Sequence, residues 1–316
     1  MEFSTKIPIP KSPFLIDYNS KVFSIGSCFA ENIAEKFDYY KFQNLSNPFG
    51  ILFHPVAIEK IFQKTISEEA FTENDLFFHN ERWNSFFVHS SLSHRDSREM
   101  LLQLQQKQSE SLSFLKSASH IFITFGTAWF YRKIETGAIV ANCHKVPQKE
   151  FTKEILSVTE IEKSIRKITT LVRAVNPEVK IIFTISPVRH LKDGFVENQQ
   201  SKARLITAVH NFSKEDNQTE YFPSYEIMMD ELRDYRFYTE DMIHPNKVAV
   251  NYIWKRFSET YFSRDTFLVM EEIETIQRAL HHKPFYPESE QHLKFTSQTD
   301  SKINSLQNKY PHIKFI

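Results

Sequence analysis

The sequence predicts an α/β protein built on an open three-layer parallel sheet, with inserted hairpins and a C-terminal helical extension. Three observations lead there. Short apolar runs, KVFSIGS from Lys21, HIFITFG from His120 and KIIFTISP from Lys180, each end near a glycine or a proline. Long stretches of helix formers separate them, and strands alternating with helices of this length build a mainly parallel sheet covered on both faces. Glycine is scarce, five in 316 residues, so the chain keeps it for positions that need positive φ or a close backbone approach.

From Lys21 the first strand gives way at Gly26 to a helix in which Phe29, Ile33, Ala34 and Phe37 recur at helical spacing. QNLSNPFGILFHP reads as a loop, and Pro55 opens the helix PVAIEKIFQKTI. Two apolar strips around His79 to Arg82 in DLFFHNERWNSFFVHS suggest a β-hairpin. SHRDSREMLLQLQQKQSESLSFLKSA is free of Gly and Pro and reads as a helix leading into the second apolar strand. AWFYRKIETGAIVANCHKVP reads as a hairpin turning at Glu135 to Gly137, and TKEILSVTEIEKSIRKITTLVRAVNP as a long helix before the third strand. ENQQSKARLITAVHNF is helical, TEYFP a short strand, and NKVAVNYIWKRFSETYF a late helix after Pro245. Residues 1–262 are thus expected to form the sheet domain. Residues 263–316 carry one more amphipathic helix, TFLVMEEIETIQRALHH, and a loosely packed polar tail with Pro284 and Pro287. Ligands bind such sheets beyond the carboxyl ends of the strands, so Gly26 to Cys28, Gly126 to Trp129 and Ser186 to His190 are expected on one rim.

Composition narrows the function. With 39 basic and 39 acidic side chains the formal charge is zero, which excludes the positive field that nucleic acid or an anionic membrane surface requires. The N-terminal segment lacks the apolar core of a signal peptide and no run reaches the length of a membrane span, so a cytoplasmic protein is expected. Two cysteines, Cys28 and Cys143, are too few for a disulfide framework and agree with a reducing compartment. The 30 Phe and 12 Tyr suit an aromatic core better than an aromatic binding platform. A small molecule is the natural partner, and no cofactor is expected.

Two constellations carry chemistry. In IGSC, a nucleophile between a strand and the next helix gains from the helix N-terminus, whose free N–H groups and dipole favour negative charge. Its own N–H can donate to an oxyanion. The plainer reading is a capped turn with Cys28 as a small buried hydrophobe. In EDMIHPN, Asp241 and His244 stand three residues apart. A serine or thiol nucleophile needs an imidazole base, and the base needs a carboxylate to fix its tautomer. Cys143, His144, His190 and His244 are potential metal ligands, but their spacings match no zinc pattern.

GSCFA at Gly26 to Ala30 is followed by NPFGILFHP, FGTAWFY, ANCHKVP, SPVRHLKDGFVENQQSKA and FPSYEIMMDELRDYRFYTEDMIHP. Together they resemble the GSCFA family, grouped with the SGNH (GDSL-like) hydrolases, from about Lys21 to Phe262. The resemblance implies an SGNH/flavodoxin-like sheet and ester hydrolysis. In its register Gly26 matches the glycine of the Gly-Asp-Ser block, Ser27 falls on the aspartate and Cys28 on the nucleophilic serine; Ser27 becomes the nucleophile if the turn shifts by one residue. DMIHP supplies Asp241 as the orienting carboxylate and His244 as the base. Gly50 in NPFG matches a glycine whose N–H faces the oxyanion. Gly126-Thr127-Ala128 departs from the pattern, with alanine where an asparagine donor would stand; the Thr127 hydroxyl or Asn142 are candidates to replace it. Arg189 and His190 suit a carboxylate or a sugar hydroxyl, with Glu197, Asn198 and Gln199 on the same rim. The implied activity is that of an esterase or deacylase on a small acyl ester, an acylated carbohydrate among them. Acyl transfer on the same machinery and a non-catalytic ligand-binding relative are the alternatives.

Overall fold

Five of the apolar or half-apolar segments pair into one all-parallel sheet in the computed structural model, which describes residues 5–315. Residues 1–4 of the N-terminal segment and residue 316 of the expected tail lie outside the described residues. The chain runs β1 (Lys21–Gly26), α1 (Cys28–Tyr39), β2 (Gln43–Ser46) and α2 (Pro55–Ile66), then the hairpin β3 (Phe77–His79) and β4 (Arg82–Asn84). It continues with α3 (Ser97–Ser117), β5 (His120–Phe125), β6 (Trp129–Lys133), β7 (Ile139–Val140), β8 (Phe151–Ile155), α4 (Val158–Val175) and β9 (Lys180–Ile185). The last elements are α5 (Phe195–Ser213), β10 (Thr219–Phe222), the short α6 (Ser224–Glu226), α7 (Lys247–Tyr261), α8 (Arg264–His281) and α9 (Glu290–Lys309).

The sheet order is β10-β9-β5-β1-β2. From β1 the chain moves to one side for β2 and to the other for β5, so the direction of winding reverses between β1 and β5. Strand side chains alternate between two cores. Phe23, Ile25, Ile121, Ile123, Phe125, Ile181, Phe183 and Ile185 pack with buried residues of α2, α3, α4 and α5. Val22, Phe122 and Ile182 pack with Phe29, Ile33 and Phe37 of α1, and with Trp254 and Phe257 of α7. Each such aromatic or aliphatic side chain contributes about 1.5–3 kcal/mol on full burial. The registers Gly26↔Thr124 and Phe125↔Ile185 bring the carboxyl ends of β1, β5 and β9 level, which makes the expected rim.

Three segments differ from the sequence-based expectation. QNLS, read as loop, is the edge strand β2, paired with β1 from Lys21↔Gln43 to Ser24↔Ser46; its half-buried residues show no apolar alternation, so only backbone pairing defines it. The long helix expected from Thr152 begins later. Residues 151–155 instead form β8, antiparallel to β6 on the side away from β7. Ser157 then starts α4 through a capping box with Glu160. The tail holds the 20-residue helix α9 rather than loose chain, and Leu306 and Ile313 insert into the core that α8 lines. The N-terminal arm is tied down as well: the Ser12 and Ile16 N–H groups donate to the carbonyls of Thr260 and Tyr261.

Two buried histidines make stability pH-dependent. His54 caps α2, its Nδ1 accepting from the Ala57 N–H and its Nε2–H donating to the Val140 carbonyl. His120 lies against the Phe14 carbonyl. Burial holds both imidazoles down to about 4. Because the folded values lie below the unfolded one, the stability from keeping them neutral is present above pH about 6.5 and is lost as pH falls toward 4. A shift of this size corresponds to about 3 kcal/mol per group. Thermal melts should therefore drop steeply across that window, and His54→Gln should flatten the drop; an equally steep drop in the variant would remove His54 from the explanation.

Candidate active site

The turn after β1 is set by Gly26, at φ +142°, whose N–H donates to Asn47 Oδ1 at 2.8 Å and whose carbonyl accepts the Leu52 N–H. Ser27 follows as the N-cap of α1. It is fully buried, its N–H donates to the Thr124 carbonyl, and its Oγ accepts from the Phe29 N–H at 3.4 Å. Cys28 is the first helical residue and is half-buried. Burial pushes its thiol above the ordinary range and Glu31 adds to the rise; Lys202 and the N–H groups of Cys28 and Phe29 oppose it. The turn thus spends the serine on capping and leaves the thiol at the point where the winding reverses, the place where open α/β sheets form a ligand crevice.

His244 is held from one side by Asp241, its Nδ1–H donating to Oδ2 at 2.6 Å. The other carboxylate oxygen accepts from the Thr239 hydroxyl and from the Ile243 and His244 N–H groups. These bonds, led by that of Thr239, hold the Asp241 carboxyl well below the usual carboxylate range. The loop is tight. Met242 takes φ +58°, and Asn246 closes the far end by capping α7 while its amide donates to the Arg236 carbonyl. Both side chains of the pair are about 45% exposed, so the imidazole is reachable from solvent. Among the described residues no hydrogen bond joins Cys28 to His244.

Arg189 does not reach into the rim as expected for a substrate carboxylate. Its guanidinium bonds the Met242 carbonyl and sits over the Tyr238 ring at 4.5 Å, and its N–H donates to the Ile243 carbonyl. It clamps the Asp241–His244 loop to the end of β9. The His190 ring lies edge-on to Phe53 at 5.5 Å, its backbone N–H is held by Asn198 Oδ1, and among the described residues its Nε2 has no hydrogen-bond partner. Burial, then the charges of Lys202 and His244, hold it down to about 3, so it is neutral. A Cβ on Gly126 would stand 3.2 Å from that Nε2, so the glycine makes room for the ring.

Lys202 was not among the residues singled out from the sequence. It is 1% exposed, and its ammonium donates to the carbonyls of Gly126 at 2.8 Å and Ser186 at 2.7 Å. A signal existed: Asn198, Ser201, Lys202, Leu205, Val209 and Phe212 fall on one buried stripe of α5, polar at the site end and apolar beyond it.

The expected oxyanion donors are mostly occupied. Gly50 donates its N–H to Asn47 in a turn, and Gly126 and Thr127 both donate to the Phe53 carbonyl. The Thr127 hydroxyl is 3.0 Å from Ser201 Oγ and accepts from the Trp129 N–H. Asn142 uses its Oδ1 to accept from the His144 N–H, and His144 in turn bonds the Ser85 carbonyl. Of the outer-rim residues, Asn198 is buried behind His190, Glu197 takes the Trp129 indole on its carbonyl, and Gln199 accepts from the Tyr225 hydroxyl. Among the described residues no three His, Cys, Asp or Glu side chains gather as metal ligands, and no helix is long and apolar enough to cross a membrane.

A thiol after the first parallel strand, a glycine at the end of the adjoining strand and an Asp-x-x-His loop before a late helix sit on an open, all-parallel α/β sheet. The chain belongs to the GSCFA family, whose family model matches residues 21–257. A second, described as GSCFA domain protein, C-terminal domain, matches residues 273–315. Among solved structures it is similar to a candidate GDSL-like lipase from Parabacteroides merdae, at 11% identity and TM-score 0.41, covering 79% of this chain and 98% of that one. An acetyl xylan esterase from Butyrivibrio proteoclasticus gives 11% identity and TM-score 0.38, over 84% and 66%. A family 3 carbohydrate esterase from Talaromyces cellulolyticus gives 8% identity and TM-score 0.34, over 80% and 99%. A comparison with curated proteins gives no match.

Proposed function

We propose that this GSCFA-family chain is an ester hydrolase that works through an acyl-enzyme on Cys28. His244 Nε2 takes the thiol proton as sulfur attacks the acyl carbonyl; the C–S bond forms, the ester C–O bond breaks, and the leaving alcohol takes the proton from the imidazolium. Water, deprotonated by the same imidazole, then cleaves the thioester to release the acid and restore the thiol. Asp241 fixes the imidazole tautomer and stabilises the imidazolium. Because its carboxyl is held far below the usual range, it stays ionised at neutral pH. The Cys28 N–H, a free donor in the first turn of α1, is the oxyanion donor in this reading. The observation that carries it is the 2.6 Å Asp241–His244 bond, which leaves Nε2 as the ring nitrogen available to a proton. Small acyl esters, acylated carbohydrates among them, are the proposed substrate class, on the resemblance of GSCFA and DMIHP to the SGNH blocks.

One observation favours a ligand-binding relative without turnover: the Gly50, Gly126 and Thr127 N–H groups are already committed within the protein. Acid-quenched intact-mass analysis with an activated acyl ester separates the two readings. An adduct mapping to the Cys28 peptide is expected, forming about 10²–10⁴ times more slowly in His244→Ala. No adduct with folded wild-type protein across several acyl chain lengths would hand the site to the binding reading.

A further inference from the structure

The two carbonyls that Lys202 binds are opposite one another. Phe125 pairs with Ile185 at the ends of β5 and β9, and Gly126 and Ser186 are the residues immediately beyond. On the other side of β5, Gly26 pairs with Thr124, so Cys28 leaves β1 at the level where Gly126 leaves β5. The ammonium is therefore fixed between the ends of β5 and β9, one strand over from β1, after which Cys28 follows. An ammonium has three N–H groups and no acceptor capacity; two of the three are accounted for by carbonyls. Those partners are neutral dipoles. Among the described residues this buried lysine has no salt bridge, whereas the buried Lys64 has Glu69 and Asp75. A charge buried without an ionic partner is expensive, and such groups collect where a negative charge forms during function.

We propose that Lys202 is a positioning residue of the site, a fixed cation at the ends of β5 and β9 that stabilises the thiolate of Cys28 through space. The titratable groups around the pair are few. Cys28 and Glu31 lie on α1, His190 follows β9, and Glu226 of α6 and the Tyr225 ring, 5.4 Å from the ammonium, lie on the remaining side. Glu31 raises the thiol, His190 is neutral, and Glu226 acts on the lysine. Among the described residues Lys202 is the side-chain cation that opposes the rise of the thiol, and Cys28 in turn works against the burial that lowers the ammonium, so each favours the charged form of the other.

The assignment takes its catalytic meaning from the reading of Cys28 as nucleophile, but its test reads the thiol alone. In a Cys143→Ser background, the iodoacetamide alkylation rate of Cys28 is followed against pH for Lys202 and for Lys202→Met. Loss of the cation should move the thiol inflection upward by about one unit and slow alkylation near neutral pH about tenfold. Lys202→Arg, which keeps the charge, should stay close to the parent profile. Lys202→Gln keeps an amide donor for the strand carbonyls and is the second neutral variant should the methionine chain fail to fold; it should shift as Met does. An unshifted profile in a folded neutral variant overturns the proposal, whatever the acyl-ester experiment gives. A shift in both neutral variants but not in Arg supports it even if no acyl adduct ever forms, since a purely structural lysine would alter melting and leave the thiol inflection in place.

Discussion

Cys28→Ala is expected to carry no acyl adduct under conditions where wild-type protein is fully labelled, while Ser27→Ala still acylates. The asymmetry follows from the turn. Ser27 is fully buried, and its hydroxyl and N–H are spent on the Phe29 N–H and the Thr124 carbonyl. Its side chain has no access to solvent. Cys28 stands one residue further, half-exposed, with its sulfur against the first N–H groups of α1. Removing the cap should cost Ser27→Ala about 1 kcal/mol of stability, read as a lower melting temperature with the adduct retained. Peptide mapping of the labelled Ser27→Ala protein decides the matter: an adduct missing from it but present in Cys28→Ala would exchange the two assignments.

The largest expected effect on stability comes from Gly26→Ala. An added Cβ would lie 2.1 Å from the Thr124 carbonyl oxygen and 2.8 Å from its carbon, both backbone atoms of the adjoining strand, and φ is +142°. Neither the strand nor the turn can yield without breaking the β1–β5 register that levels the rim. A loss of about 4 kcal/mol or more is expected, from strain and steric overlap together. Gly137→Ala is the control: it too has positive φ, +69°, but nothing lies within 4 Å of its Cβ position, so about 1 kcal/mol is expected. Urea unfolding of the two variants measures the contrast, and similar losses in both would mean that conformation, not the neighbouring strand, reserves position 26 for glycine.

The sheet was legible because its inner strands are fully buried: KVFSIG, HIFITF and KIIFTI announce themselves as apolar runs, and their Gly and Pro endings point to the rim. The edge was not. QNLS is defined by pairing along one side only, and FTKEI carries helix formers in a strand whose place is set by β6. At the site, Asp241 and His244 could be read because their partnership is local, three residues apart. The contribution of Lys202 could not be read so directly, since its partners Gly126 and Ser186 are 76 and 16 residues away and are backbone atoms, which carry no sequence signature. The bond of Arg189 is hidden from the sequence for the same reason; its target is the Met242 carbonyl, 53 residues on.

The arm that binds Thr260 and Tyr261 also bears on the order in which the molecule is made. Lys11 holds the Glu259 carbonyl across 248 residues of chain, so the arm cannot take its seat until that residue has been made. Cys28 leaves the ribosome beside a β1 that has no neighbour until β2 and β5 are made, and the imidazole at 244 follows later still. A chain that stops short of residue 244 therefore carries the Cys28 thiol without the imidazole proposed to serve it.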